Sequence, residues 1–310
     1  MTVKWIGPER NSSEALVQHI AKHLAPAGRL LWAKPLGGGI SARTTAFELG
    51  AADGSTQKLV LRQPGPRMLA RRPNAAWEEF DLLQRLLPHD LGSPVPVWLD
   101  SGTLGGQPGL VLNYLAGQPW MGPEISEHKL MAMAMRLARI HAVEDSALAS
   151  LPRRQLPKPP AHLDQSLQEG RIREALMPVW PLPESQNGLL HGDFWPGNLL
   201  WEADELKAVI DWEDAGWGDP LADLASARLD VLWIYGQEAM ECFTKSYLDL
   251  SDCDPSNLPY WDLWAALRPA GALADWALGW SALGRPELTE ARLREDHGRF
   301  VAQAFAAIGI

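Results

Sequence analysis

Residues 189–223 read LLHGDFWPGNLLWEADELKAVIDWEDAGWGDPLAD, and the rest of the chain is organised around what this stretch can do. Asp193 and Asn198 stand five positions apart within HGDFWPGN, where Pro196 and Gly197 oppose a helix and make the segment a loop. A loop can aim both side chains into one cleft. LLWE and LKAVID then read as short strands joined by the polar turn ADE, a hairpin that returns Asp211 to the side of Asn198. One carboxylate and one amide oxygen suit a hard cation such as Mg2+, which keeps waters and completes its shell with phosphate. Asp193 is left as a base. Asp219-Pro220 reads as the N-cap and first residue of the next helix, and Asp223, one turn in, is placed to brace the loop. His191 leads into the loop and reads as a structural hydrogen-bonding residue.

On either side of this stretch the chain has a different character. Its first half alternates helix and strand signals, whereas the second half is nearly all helical, which predicts two lobes. A helix over 12–24 precedes a strand ending in Gly37-Gly38-Gly39; TTAFELG, the turn AADG and QKLVLR then form a hairpin. Trp77, Phe80, Leu83, Gln84, Leu86 and Leu87 predict a helix at 73–87, and VPVWLD and GLVLNYL predict two more strands around SGTLGGQP. LAGQPWMGPE, residues 115–124, reads as a linker. From 129, Leu130, Met133, Ala134, Leu137, Ile140 and His141 share one helical face, with the methionines as core filler and His141 as a hydrogen-bonded core residue. Helices resume at about 220–250 and 258–307.

Composition excludes several classes. With 310 residues, 46% of them apolar, the chain is too long for one small core, and its 27 glycines and 25 prolines fall well short of a low-complexity composition. A net charge of −10 argues against nucleic acid and anionic membranes as partners. Cys242 and Cys253 lack a disulfide or metal pattern and suit a reducing compartment, so a cytoplasmic protein without signal peptide or membrane span is expected. His19 and His23 are spaced for zinc on a helix, but position 20 is Ile rather than Glu.

HGDFWPGN followed by IDWEDAGWGDPLADLA resembles the catalytic and metal-binding motifs of aminoglycoside phosphotransferases and choline kinases, enzymes of protein-kinase-like fold. The resemblance, over roughly residues 30–230, implies that Asp193 takes the acceptor hydroxyl proton, that Asn198 and Asp211 hold Mg2+, and that Trp212 stands where kinases place Phe. LGGGISARTTAFEL is similar to the glycine-containing turn over nucleotide phosphates, which implicates Gly38, Gly39 and Ser41. It has neither the GK[ST] of a Walker loop nor the GxGxxG spacing. Arg62 in LVLR would meet the phosphates and Glu79 would pair with it, while the backbone at Asn113 and Leu115 would bond adenine. The family usually carries Lys where Arg62 stands; the planar guanidinium is larger but also contacts phosphate.

What the resemblance implies is an α+β, protein-kinase-like two-lobed fold. A mixed N-lobe with an antiparallel sheet would cover 1–112, a hinge 113–117, and a mostly helical C-lobe 118–310 would hold the catalytic loop and the acceptor site. The implied activity is phosphoryl transfer from ATP, or another nucleoside triphosphate, with Mg2+, to a hydroxyl of a small molecule such as an aminoglycoside or amino-alcohol. Glu213, Asp214, Asp230, Trp233, Asp275 and Trp276 are candidates for the acceptor pocket, where carboxylates and indoles would hold an amine or quaternary ammonium; helix packing is the competing role for each tryptophan. A nucleotide-binding, pseudokinase-like scaffold without turnover is the alternative. A protein kinase is disfavoured because no APE ending or long activation segment lies between Asp211 and Asp219.

Overall fold

Alternation along TTAFELG and KLVLR puts Phe47, Leu49, Leu59 and Leu61 on one face of a β-ribbon, and helix α1 (Arg10–Leu24) buries that face with Leu16, Val17 and Ile20. The computed structural model describes residues 10–36, 42–102, 106–183 and 186–310, and the chain divides into two compact units, Met1–Leu115 and Ala116–Ile310. Gly38, Gly39 and Ser41 lie outside the described residues.

In the first unit β1 (Arg29–Leu36), β2 (Ala42–Gly50), β3 (Thr56–Pro64), β4 (Pro96–Asp100) and β5 (Gly109–Asn113) form one antiparallel sheet, in the order β1-β2-β3-β5-β4. The Asp-Gly turn joins β2 to β3 as its chemistry demands: Asp53 Oδ1 accepts the Ser55 N–H at 2.9 Å and Gly54 takes a φ of +87°. Short helix α2 (Pro66–Arg71) leads to α3 (Ala75–Leu86), whose buried residues Ala76, Glu79, Leu82, Leu83 and Leu86 recur at helical spacing. Glu79 is the single charged member of that set, and it is buried against a partner described below.

The second unit is mostly helical. Strand β6 (Gln118–Pro119) pairs with β8 (Leu199–Glu202), so the segment expected as a linker is anchored at Gln118↔Trp201 and Pro119↔Leu200. Helix α4 (Glu127–His141) is N-capped by Ser126, which accepts the Lys129 N–H at 3.3 Å. Leu130, Met133, Ala134, Leu137 and Ile140 are buried as expected, but Met131 and Met135 are exposed, so only Met133 is core filler. After α5 (Glu169–Leu176) come β7 (Gly188–Leu190), β8, β9 (Glu205–Val209) and β10 (Gly216–Gly218).

Helix α6 (Leu221–Tyr235) has every residue from Leu221 to Ile234 buried and packs against α7 (Gln237–Leu250), α8 (Leu258–Ala265) and α10 (Glu290–Ile308), while α9 (Leu273–Ala282) lies against α10. The apolar runs expected as helical over 220–250 and 258–307 are interrupted at Gly236 (φ +93°), Gly271 (φ +72°) and Gly284 (φ +84°). No helix among the described residues is long and apolar enough to cross a membrane.

Candidate active site

The loop between β7 and β8 starts with a backbone that only glycine tolerates. Gly192 has φ +89°, and a Cβ there would lie 1.9 Å from the Asp214 carbonyl oxygen and 2.1 Å from Arg154 Nη2. Asp223, buried in the first turn of α6, receives the His191 N–H at 2.6 Å and the Gly192 N–H at 3.0 Å. Behind it His141 Nε2 stands at 3.5 Å, and His141 Nδ1 contacts the Tyr247 hydroxyl at 2.6 Å. Burial alone would raise the Asp223 carboxyl, but the bond and charge of His141, with Arg154, hold it below the ordinary carboxylate range.

His191 is fully buried. Its Nδ1 accepts the Asp193 N–H at 3.3 Å, which leaves the Nε2 proton for the Ile210 carbonyl at 3.1 Å. Burial pushes this imidazole down and keeps it neutral, as suits a tether between the loop and the strand before Asp211. Trp212 lies 4.6 Å from the His191 ring and donates its indole N–H to the Val209 carbonyl.

Asn198 Nδ2 donates to the Asp193 backbone carbonyl at 2.9 Å and to Asp193 Oδ2 at 3.1 Å. With its N–H groups turned to Asp193, Asn198 presents its amide oxygen elsewhere. The β8–β9 hairpin pairs Leu199 with Val209, and the Ile210 N–H reaches the Asn198 carbonyl at 3.0 Å. Asp211 follows directly, in the left-handed region at φ +68°, a conformation that a non-glycine residue adopts under constraint and often at functional positions. The donor set, one carboxylate and one amide oxygen on adjoining backbone, fits an Mg2+ ion that draws its remaining ligands from water and phosphate. No group of three His, Cys, Asp or Glu side chains able to hold a metal occurs among the described residues.

Burial pushes the Asp193 carboxyl up to about 6; Arg268 opposes the rise, while Asp211 and Asp214 add to it. Arg268 was not anticipated. Its Nη2 donates to Asp193 Oδ1 at 3.2 Å and its Nη1 to Asp230 Oδ2 at 3.0 Å. Two signals pointed to it: a lone arginine in the apolar run WAALRPAGALADWAL, and an aspartate at 230 that would be buried.

The other expected residues fall into three groups. In the first unit, Arg62 and Glu79 meet, Nε to Oε2 at 3.0 Å, both buried. Asn113 closes β5, where its N–H donates to the Val95 carbonyl at 3.0 Å and its Oδ1 accepts the Val95 N–H; Leu115 follows beyond the end of that strand. Glu213 is half-buried and Asp214 exposed, on the turn Trp212–Asp214 directly after Asp211. Asp230 and Trp276 are joined to Asp193 through Arg268, whereas Asp275 is exposed.

Trp233 proves to be core. It is fully buried, donates its indole N–H to the Leu293 carbonyl at 2.9 Å and packs edge-on against Trp276. Trp233→Phe is expected to cost about 1–3 kcal/mol through the lost buried hydrogen bond and the space left by the smaller ring. It should lower the melting temperature without changing the KM of any acceptor.

The profile of the phosphotransferase enzyme family (APH) matches residues 32–248. Viomycin phosphotransferase of Streptomyces vinaceus is 29% identical over 188 residues, 52% of this chain and 63% of that protein. Acyl-CoA dehydrogenase family member 11 of Pongo abelii is 25% identical over 252 residues, 68% of this chain and 32% of that protein, so the chain spans less than two thirds of either relative. Among solved structures, the macrolide 2′-phosphotransferase of Brachybacterium faecium is 21% identical with a TM-score of 0.60, covering 89% of this chain and 97% of that one. The GDP and kanamycin complex of an APH(2″) protein gives a TM-score of 0.63 at 17% identity, over 91% of this chain and 98% of that one. The fold is therefore the kinase-like fold of these phosphotransferases. With more than half of its length matched, the chain belongs to the phosphotransferase enzyme family.

Proposed function

We propose that the chain transfers the γ-phosphoryl group of ATP, or of another nucleoside triphosphate, to a hydroxyl of a small molecule. The observation that carries this is the Asp193–Asn198 contact, with Asp211 delivered beside it by the Ile210–Asn198 backbone bond. In the transfer the acceptor oxygen forms a new bond to phosphorus. The bond from phosphorus to the bridging oxygen breaks, and the nucleoside diphosphate leaves with that electron pair. The hydroxyl proton passes to Asp193, whose Oδ1 and Oδ2 are each held by one N–H donor, from Arg268 and Asn198.

Asn198 and Asp211 would hold Mg2+, which neutralises charge on the phosphate oxygens when bound. Its charge beside Asp211 would also draw the Asp193 carboxyl back down. Arg62, oriented by Glu79, supplies a cation for the phosphates where the family usually has Lys. A cytoplasmic setting, in which Cys242 and Cys253 stay reduced, fits this activity.

Thermal denaturation with ATP and GTP, each with Mg2+ and with EDTA, tests the reading. Nucleotide should raise the melting temperature only when Mg2+ is present, by about 2.7 kcal/mol of stabilisation at a hundredfold excess over Kd. Failure of every nucleotide to shift it would reject the reading. Arg62→Gln is expected to weaken nucleotide binding about tenfold, the effect of losing one charge-assisted contact, measured in the same titration.

A further inference from the structure

If Asp193 receives the acceptor's proton, as proposed above, the side chains around it are the wall that the acceptor meets. They form a closed circuit. Arg268 bridges Asp193 and Asp230, and its guanidinium lies over Trp276, 5.6 Å from the ring centroid. One turn further along α9, Trp280 meets Trp195 edge-on at 5.4 Å, and Trp195 follows Asp193 by two residues. On the other flank of the loop Arg154 Nη2 donates to the Asp214 carbonyl and lies against Gly192.

The polarity of this wall differs from that expected for a cationic acceptor. Asp230 is only 4% exposed and gives Oδ2 to Arg268, so a substrate ammonium does not find it available. Asp193 and Asp211 have the proton and the metal to serve. The wall also has donors to offer. Among the described residues, Arg268 Nε and Arg154 Nε and Nη1 make no hydrogen bond to protein, and the buried Trp280 indole N–H has no acceptor. A planar guanidinium with N–H groups to offer matches a carboxylate.

We propose that this wall selects an acceptor bearing a carboxylate as well as its hydroxyl, a hydroxy acid rather than an amino-alcohol, and that Arg268 is the specificity residue that receives the carboxylate. Arg154 supplies a second cation at the same loop.

The test uses a length series of ω-hydroxycarboxylates, their carboxamides and the matching amino-alcohols, on the full chain with Mg2+ and ATP. ADP release above acceptor-free hydrolysis is measured, together with the thermal shift that each compound adds to the Mg2+·ADP complex. Carboxylates should exceed their amides about ten- to a hundredfold in kcat/KM and should alone raise the melting temperature. Arg268→Gln should erase that preference, and Arg268→Lys, which keeps the charge and guards against a folding defect, should retain part of it. Equal or better turnover of amides or amino-alcohols, a preference that survives Arg268→Gln, or a carboxylate series that neither binds nor reacts would overturn the inference. Nucleotide binding and acceptor-free ATP hydrolysis, read on the same samples, separate this from the broader reading: if both persist, only the acceptor class is wrong.

Discussion

Asp193→Asn is expected to lower kcat about 10²–10⁴-fold, the usual contribution of a positioned general base, while nucleotide affinity changes little. The substitution is nearly isosteric. Asn198 keeps its bond to the residue 193 backbone carbonyl at 2.9 Å, so the loop stays anchored, and Asp211 is untouched. Arg268 loses one of its two carboxylates but retains Asp230. What disappears is the group able to take the acceptor proton. Single-turnover measurements of phosphoryl transfer, paired with Mg2+-dependent thermal shifts by ATP, separate the possibilities. A parallel loss of nucleotide binding and turnover would move Asp193 into the metal's ligand set, and a wild-type protein without turnover would be a nucleotide-binding scaffold.

The centre of this site was legible because its parts are close in sequence. HGDFWPGN can only be a loop, and the short hairpin after it fixes where Asp211 returns, so local chain geometry delivers Asn198 and Asp211 together. The same holds for the Asp53-Gly54 turn, where side-chain chemistry within a few residues decides the outcome. Arg268 and the His141–Tyr247 contact come from partners 75 and 106 positions away, and no local pattern encodes such pairings.

Trp233 shows a different limit. Helix α6 is buried on all sides, so its apolar pattern marks no face and cannot tell a pocket wall from packing. The breaks at Gly236, Gly271 and Gly284 were hidden for a related reason: a single glycine in an apolar helical run is compatible with continuation, and only tertiary context ends the helix there.

Asp223→Ala should be the most destabilising single substitution around the loop, by about 3–5 kcal/mol. The carboxylate is 2% exposed and accepts both the His191 and the Gly192 N–H groups, so its removal orphans two buried donors, each costing about 1–3 kcal/mol. For a unit of this size that corresponds to a fall of roughly 6–20 °C in melting temperature. Activity should fall further than stability alone explains, because Gly192 holds Asp193 in place from a left-handed backbone, and a shift of about 1 Å in the base can cost ~10²-fold in rate. Asp223→Asn should rescue only in part, since its amide oxygen can stand where Oδ2 meets both N–H groups, but its NH2 then faces the Gly192 N–H. Titration offers an independent check. The Asp223 carboxyl is depressed in the folded chain, so its contribution is fully present above the unfolded value of about 3.9 and is lost as pH falls through the lower native value. The stability gap between wild type and Asp223→Asn, measured by chemical denaturation, should therefore stay constant from neutral pH down to about 4 and close only below it. A gap that closed well above pH 4 would show that the Asp223 carboxylate does not carry the brace.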